Sequence, residues 1–203
     1  MKKILNILLT VLILISNIAC IKSQDYSLES GDIIFQTSLS SQSKFIQEAT
    51  NSKLSHVGIV YIKDGEPYVF EAVEPVKITP LNVWVTRGEN NKYKVYRTIT
   101  PLSNTDLNTM YEYCLTQKGK HYDTKFQWDD NKIYCSELVW YTYKSIGVEL
   151  STPSTFSDFN IKSKEIKTEI IRRYGDKFVE TEPVVSPQCL AESDYLYEIF
   201  SNY

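Results

Sequence analysis

Hydrophobic and polar positions follow two periods along the chain, and the change between them divides it. Ile33-Ile34-Phe35-Gln36 is a short apolar run after Gly31-Asp32 and predicts a strand. Ser38 to Ser43, with four serines in six positions, reads as loop. Lys44 to Asn51 sets Phe45, Ile46 and Ala49 at helical spacing. Leu54 to Ile62 is the strongest strand signal. Lys63-Asp64-Gly65-Glu66 follows as a four-residue turn containing Asp-Gly, and Pro67 to Val73 returns as its partner. Lys77–Pro80 and Leu81–Val85 continue as β or extended chain, and Lys92–Thr98 as a further strand.

Beyond this point the period becomes helical. Leu107, Met110, Tyr111 and Cys114 repeat at i, i+3, i+4 and i+7 in Thr105–Gln117, with Asn104 or Thr105 as cap and Gly119 past the end. Tyr122–Asn131 reads as loop. A helix opening at Cys135 carries Leu138, Val139, Thr142 and Ile146 on one face, with Gly147 as stop. Ser151–Asn160 reads as surface loop and Ser163–Tyr174 as helix. Phe178–Val185 is extended, Ser186-Pro187 marks a short helix start, and Tyr195–Phe200 is a last strand. Strands followed by helices, without an internal repeat, predict one α+β domain over residues 31–203, with an antiparallel sheet packed against helices.

The first residues stand apart. Met1-Lys2-Lys3 is basic, Ile4–Ile18 is almost wholly apolar, and Ala19-Cys20 closes the run. Residues 1–19 read as a signal peptide of lipoprotein type, with lipidation of Cys20, and residues 20–30 as a polar tether. The expected location is the envelope of a bacterium, with the protein lipid-anchored to a membrane. Removing residues 1–19 takes away Lys2 and Lys3 and no acid, so the formal charge of −3 becomes −5. The chain has no basic run and a sequence pI near 5.5, which argues against nucleic acid as a partner.

Candidate chemistry centres on Cys135. A thiol in the first turn of a helix sits among unpaired N–H groups at the positive end of the helix dipole, and both favour thiolate. Cys114 lies on the apolar face of its own helix and reads as core. Cys189 has no adjacent motif. Only two histidines occur. His56 lies in the strongest strand, and Glu71 sits between Phe70 and Ala72 in the returning one. If Ile62 pairs with Pro67, Gly58 faces Glu71, and His56 becomes the diagonal neighbour of Glu71 on one face. Glu71 would then orient the imidazole, and His56 would take and return the thiol proton. The backbone N–H of Cys135 is the first oxyanion donor. A hydroxyl of Tyr134 or Tyr122 is a second donor or cleft lining, and Trp128 is a substrate wall or a buried anchor. No His-x-x-x-His or Cys-x-x-Cys spacing calls for a metal, and no cofactor motif occurs. Gly-x-Ser-x-Gly is also absent.

Five spans carry a resemblance: Gly31-Asp32-Ile33-Ile34-Phe35, Ser55-His56-Val57-Gly58-Ile59-Val60, Val69-Phe70-Glu71-Ala72-Val73, Tyr122-Asp123 with Phe126-Gln127-Trp128, and Tyr134-Cys135-Ser136-Glu137-Leu138-Val139. Together they resemble the YiiX-like branch of the NlpC/P60 superfamily. Having His56 and Glu71 before Cys135 matches the permuted order of that branch. The resemblance implies a circularly permuted papain-like fold and a Cys135/His56/Glu71 triad. It also implies thiol hydrolysis of amide bonds in a peptide, peptidoglycan-type or N-acyl amino acid substrate. The alternatives are a thiol acyltransferase or lipase acting on lipids, and a catalytically silent ligand-binding module.

Overall fold

The computed structural model describes residues 26–128 and 131–203. The expected signal peptide and Cys20 lie outside these residues. Among them no helix is long and apolar enough to cross a membrane.

In chain order the elements are β1 (Ile33–Gln36), α1 (Ser43–Thr50), β2 (His56–Lys63), β3 (Glu66–Glu71), β4 (Lys77–Pro80), α2 (Leu81–Val85), β5 (Lys94–Thr98) and α3 (Asn104–Gln117). There follow β6 (His121–Tyr122), β7 (Lys132–Ile133), α4 (Cys135–Lys144), β8 (Ser154–Thr155), α5 (Lys164–Tyr174), β9 (Pro183–Val184), α6 (Pro187–Ala191) and β10 (Leu196–Ser201). Six strands form one antiparallel sheet in the order β10-β5-β1-β2-β3-β4. The fold is α+β, as the periodicity implies.

The sheet has two apolar faces because its central strands alternate two buried sets. Ile33, Phe35, Val57, Ile59 and Phe70 pack with Met110 and Cys114 of α3 and with Leu138 and Val139 of α4. Ile34, Val60, Val69 and Val95 face the other way and close on Trp84 of α2. A third cluster joins Ile46 of α1 to Ile166 and Ile170 of α5. Thr142 of α4, fully buried, satisfies its hydroxyl on the Leu138 carbonyl at 2.7 Å.

Four local readings change. Leu81–Val85 is helical, not extended: Pro80 turns the chain, and Trp84 is drawn down onto the sheet with no exposed surface. The β2–β3 turn is tighter than four residues. Lys63 pairs with Glu66, so Asp64 and Gly65 alone make the turn, at φ 53° and 83°. That geometry suits the strand twist, and Asp-Gly tolerates it. The pairing of Ile62 with Pro67 is unaffected. Residues 26–30 are not a free tether: Tyr26 stacks on Phe200 with ring centroids 4.2 Å apart, and Arg97 binds both Glu29 and the Ser27 carbonyl. The segment Ser151–Asn160 is likewise part folded, since it holds β8 and buries Phe156.

Helix ends follow their caps. Ser103 and Asp106 form a reciprocal capping box on α3, one residue ahead of the expected cap. Ser163 caps α5 and Ser186 caps α6, with Pro187 at the first helical position.

Candidate active site

The site forms where the N-terminus of α4 meets the start of β2. Tyr134 is the N-cap of α4, in extended conformation, and its backbone N–H is accepted by Glu137 Oε2 at 3.2 Å. Cys135 therefore opens the helix, and it is 2% exposed. Burial alone would push its thiol up. The hydrogen bond and charge of His56 outweigh burial, helped by the Tyr122 hydroxyl and the Val57 backbone N–H, and the thiol is held below its ordinary range.

The hairpin register places the other two groups. Ile59 lies opposite Phe70 and Val60 opposite Val69, so His56 and Glu71 fall on one face across Gly58. Gly58 is required there: a Cβ would lie 2.4 Å from Val69 Cγ1 and 2.8 Å from the Phe70 carbonyl oxygen. His56 Nε2 is 2.7 Å from Glu71 Oε2. With Nε2 taken by Glu71, Nδ1 is the ring nitrogen left to serve the thiol. Burial lowers the imidazole pKa, but Cys135 and Glu71 together raise it to about 9. Glu71 has no exposed surface. Burial raises its pKa, while His56, Thr79 and Arg87 bring it down to about 2.

Two further residues, Thr79 and Arg87, hold the Glu71 carboxylate. Thr79 Oγ1 donates to Glu71 Oε1 at 2.6 Å, and Arg87 Nη2 donates to the same oxygen. Strand alternation holds the signal for Thr79, since it pairs with Val69 and so shares a face with Glu71. Nothing local marks Arg87, which arrives from beyond α2.

The aromatic candidates separate. Tyr122 is brought to the thiol by a two-residue parallel pairing, His121 with Lys132 and Tyr122 with Ile133. Its hydroxyl lies 3.9 Å from Cys135 Sγ. Burial and the nearby thiol keep that hydroxyl well above its ordinary pKa, so it stays a neutral donor. The Tyr134 hydroxyl is committed elsewhere: it accepts from Trp128 Nε1 at 3.0 Å and from the Val185 N–H at 3.1 Å. Trp128 packs on Trp140 and Tyr141, as an anchor rather than a wall. Cys114 is buried against Thr142, and burial pushes its thiol up to about 12. Cys189 lies 3.1 Å from Ser186 Oγ, in α6.

A cleft of about 570 Å³ opens beside His56, lined among others by Gln36, Gln42, Ala72, Arg87 and Tyr122. A buried thiol at a helix N-terminus, an imidazole on an adjoining strand and a carboxylate behind it are the parts of a papain-like cysteine hydrolase. Here the strands precede the cysteine helix, so the class is the permuted one. Residues 27–200 match the model of the permuted papain-like amidase enzymes, YaeF/YiiX, C92 family, and the chain belongs to that family. It is 38% identical over 186 residues to the uncharacterized protein YiiX of Escherichia coli K12, covering 91% of this chain and 92% of that one. A crystal structure titled as the metalloprotein yiiX from Escherichia coli O157:H7 superposes with a TM-score of 0.84 at 38% identity, covering 88% of this chain and 99% of the other. Among the described residues here, no three or more His, Cys, Asp or Glu side chains are grouped to hold a metal ion. The protein is a cysteine peptidase-like hydrolase of the amidase type.

Proposed function

We propose that Cys135, His56 and Glu71 carry out amide hydrolysis on a peptide, peptidoglycan-type or N-acyl amino acid substrate. The observation that carries this reading is the continuous buried line from the Cys135 thiol through His56 to Glu71. The Cys135 thiolate attacks the scissile carbonyl carbon, and the C=O electron pair moves onto oxygen. The Cys135 N–H at the start of α4 and the Tyr122 hydroxyl are the donors for that oxyanion. As the tetrahedral intermediate collapses, the C–N bond breaks and the imidazolium of His56 gives its proton to the departing amine. Water then attacks the thioester, His56 takes its proton, and acid leaves as the thiol re-forms. Glu71 keeps the imidazole oriented and stabilises its charge.

The test is turnover of paired amide and ester libraries by the soluble part of the chain and by its Cys135→Ser variant. Amide cleavage lost in the variant supports the reading. Ester cleavage or acyl transfer without amide cleavage moves the activity to lipids. Ligand binding without turnover leaves a silent binding module.

The basic start, the apolar run and Ala19-Cys20 support a lipid anchor at Cys20 and a place on a bacterial envelope membrane. Mass spectrometry of the native N-terminus decides this, and an unmodified Cys20 or an intact Met1 removes it.

A further inference from the structure

The cleft beside His56 contains a cation whose hydrogen bonding is incomplete. Arg87 gives Nη2 to Glu71, but its Nε is buried without a partner. The side chain is 36% exposed and lines the cleft. On the same wall Gln36 is 1% exposed, and neither end of its amide has a partner. Pairing of Gln36 with His56 puts the two side chains on one face of the sheet. The Gln36 amide lies against Gly88, the residue after Arg87. A Cβ on Gly88 would come 2.4 Å from Gln36 Oε1, so glycine is what lets this wall close.

Beyond His56 and Arg87, the lining carries one further charged group, the carboxylate of Glu74. Ser38, Ser40, Gln42 and Thr124 are neutral. Glu74, the acid among the lining residues, is engaged by His121 Nδ1 at 2.6 Å and by the Tyr122 N–H at 2.9 Å. A guanidinium with donors to spare, beside an amide N–H₂ with no acceptor, calls for an acceptor that carries charge. A planar guanidinium fork and an oxyanion match in both geometry and sign.

We infer that Arg87 and Gln36 form an anion subsite, which takes a carboxylate or phosphate of the amide substrate, set back from the scissile bond on the His56 side. The inference rests on the amidase reading of the same cleft and adds its substrate class. The anion comes either from the free α-carboxylate of an amino-acid leaving group or from a phosphate monoester on the leaving amine. Arg87 thus faces two ways: one nitrogen holds Glu71 and the remaining edge receives substrate.

The experiment is calorimetric binding to the full-length Cys135→Ser protein, where turnover plays no part. The ligands are N-acetylalanine, its neutral methylamide, and N-acetyl-O-phosphoethanolamine, each at low and high salt. A charged hydrogen bond lost in the neutral ligand predicts that at least one anion binds roughly tenfold tighter than the methylamide, with the gap shrinking in salt. The stronger of the two anions identifies the source. Gln36→Met, which keeps the volume and removes the amide, narrows the gap severalfold. Equal binding of all three ligands overturns the subsite, and so does the absence of binding by all three at millimolar concentration. Cys135-dependent turnover of neutral amides with no anion preference would leave the amidase reading standing and remove the subsite alone. Anion binding with no Cys135-dependent turnover by the unmodified chain would do the reverse.

Discussion

His56 reaches Glu71 through one carboxylate oxygen, Oε2, at 2.7 Å, while Thr79 and Arg87 occupy the other. The division is physical. An ionised carboxylate with no exposed surface needs partners at both oxygens, or it takes up a proton. Two donors on Oε1 hold the group ionised and leave Oε2 to the imidazole. The pair is therefore a charged one, and its consequences can be measured.

Cys135 should alkylate faster than Cys114 and Cys189 near neutral pH. Its thiol is held down by His56, whereas Cys114 is buried and pushed up to about 12. The rate should hold level while His56 stays protonated, up to about pH 9. His56→Ala should slow labelling at pH 6 far more than at pH 9, where the thiol ionises unaided. Iodoacetamide labelling read by peptide mass checks this, and a rate indifferent to His56 would sink the ion pair.

Glu71→Gln should destabilise the fold in a defined pH window. The folded pKa of Glu71 is lowered to about 2, so its contribution is present above the ordinary carboxylate value and fades as pH falls through about 2. That of His56 is raised to about 9, so its contribution is full below its ordinary value of 6.5 and is lost as pH rises through about 9. The gap between wild type and variant should be widest from about pH 4.5 to 6.5 and shrink on both sides. Removing one partner of a buried pair costs about 3–5 kcal/mol. Denaturant unfolding across pH tests the window, and a gap that is flat with pH contradicts it.

Tyr122→Phe and Tyr134→Phe should part company. Loss of an oxyanion donor lowers kcat by roughly 10²-fold with little change in KM. Tyr122→Phe should do this and leave stability near wild type. Tyr134→Phe strands the Trp128 Nε1–H and Val185 N–H donors, which costs about 1–3 kcal/mol of stability. Its kcat should stay close to wild type. Steady-state kinetics and thermal melting on the same two proteins separate the roles, and the reverse pattern would exchange them.

Gly58→Ala should destabilise by about 1–3 kcal/mol, because the added methyl meets the Phe70 carbonyl as well as Val69. The backbone contact cannot relax by a rotamer change. Since Gly58 separates His56 from Glu71, activity should fall further than the loss of folded protein explains. Activity per folded molecule, with the folded fraction read by circular dichroism, is the measurement.

The strands of the six-stranded sheet, most helix ends and the pairing of Ile62 with Pro67 are legible in the sequence, whereas the short strands β6, β7 and β8 are not. The legible features are local or nearest-neighbour properties. Asp64-Gly65 permits one tight turn, side chains alternate with period two, and the relation of His56 to Glu71 follows from counting. Ser186-Pro187 likewise announces α6 without reference to the rest of the chain. What surrounds the carboxylate depends on long-range packing. Thr79 comes from a third strand, whose alternation gives its face but not its partner, and Arg87 comes from beyond a helical turn, where no period links it to Glu71. Long-range packing also decides between the tyrosines. Tyr134 is adjacent to Cys135 in the chain, yet its ring points into the core, where its hydroxyl satisfies Trp128 and Val185. Tyr122, thirteen positions away, is carried to the thiol by pairing with Ile133. Leu81–Val85 shows the same limit: five residues with strand-like composition become helix because Trp84 gains a fully buried place on the sheet. Burial over long separations outweighs local preference, and it is legible only once the chain has folded.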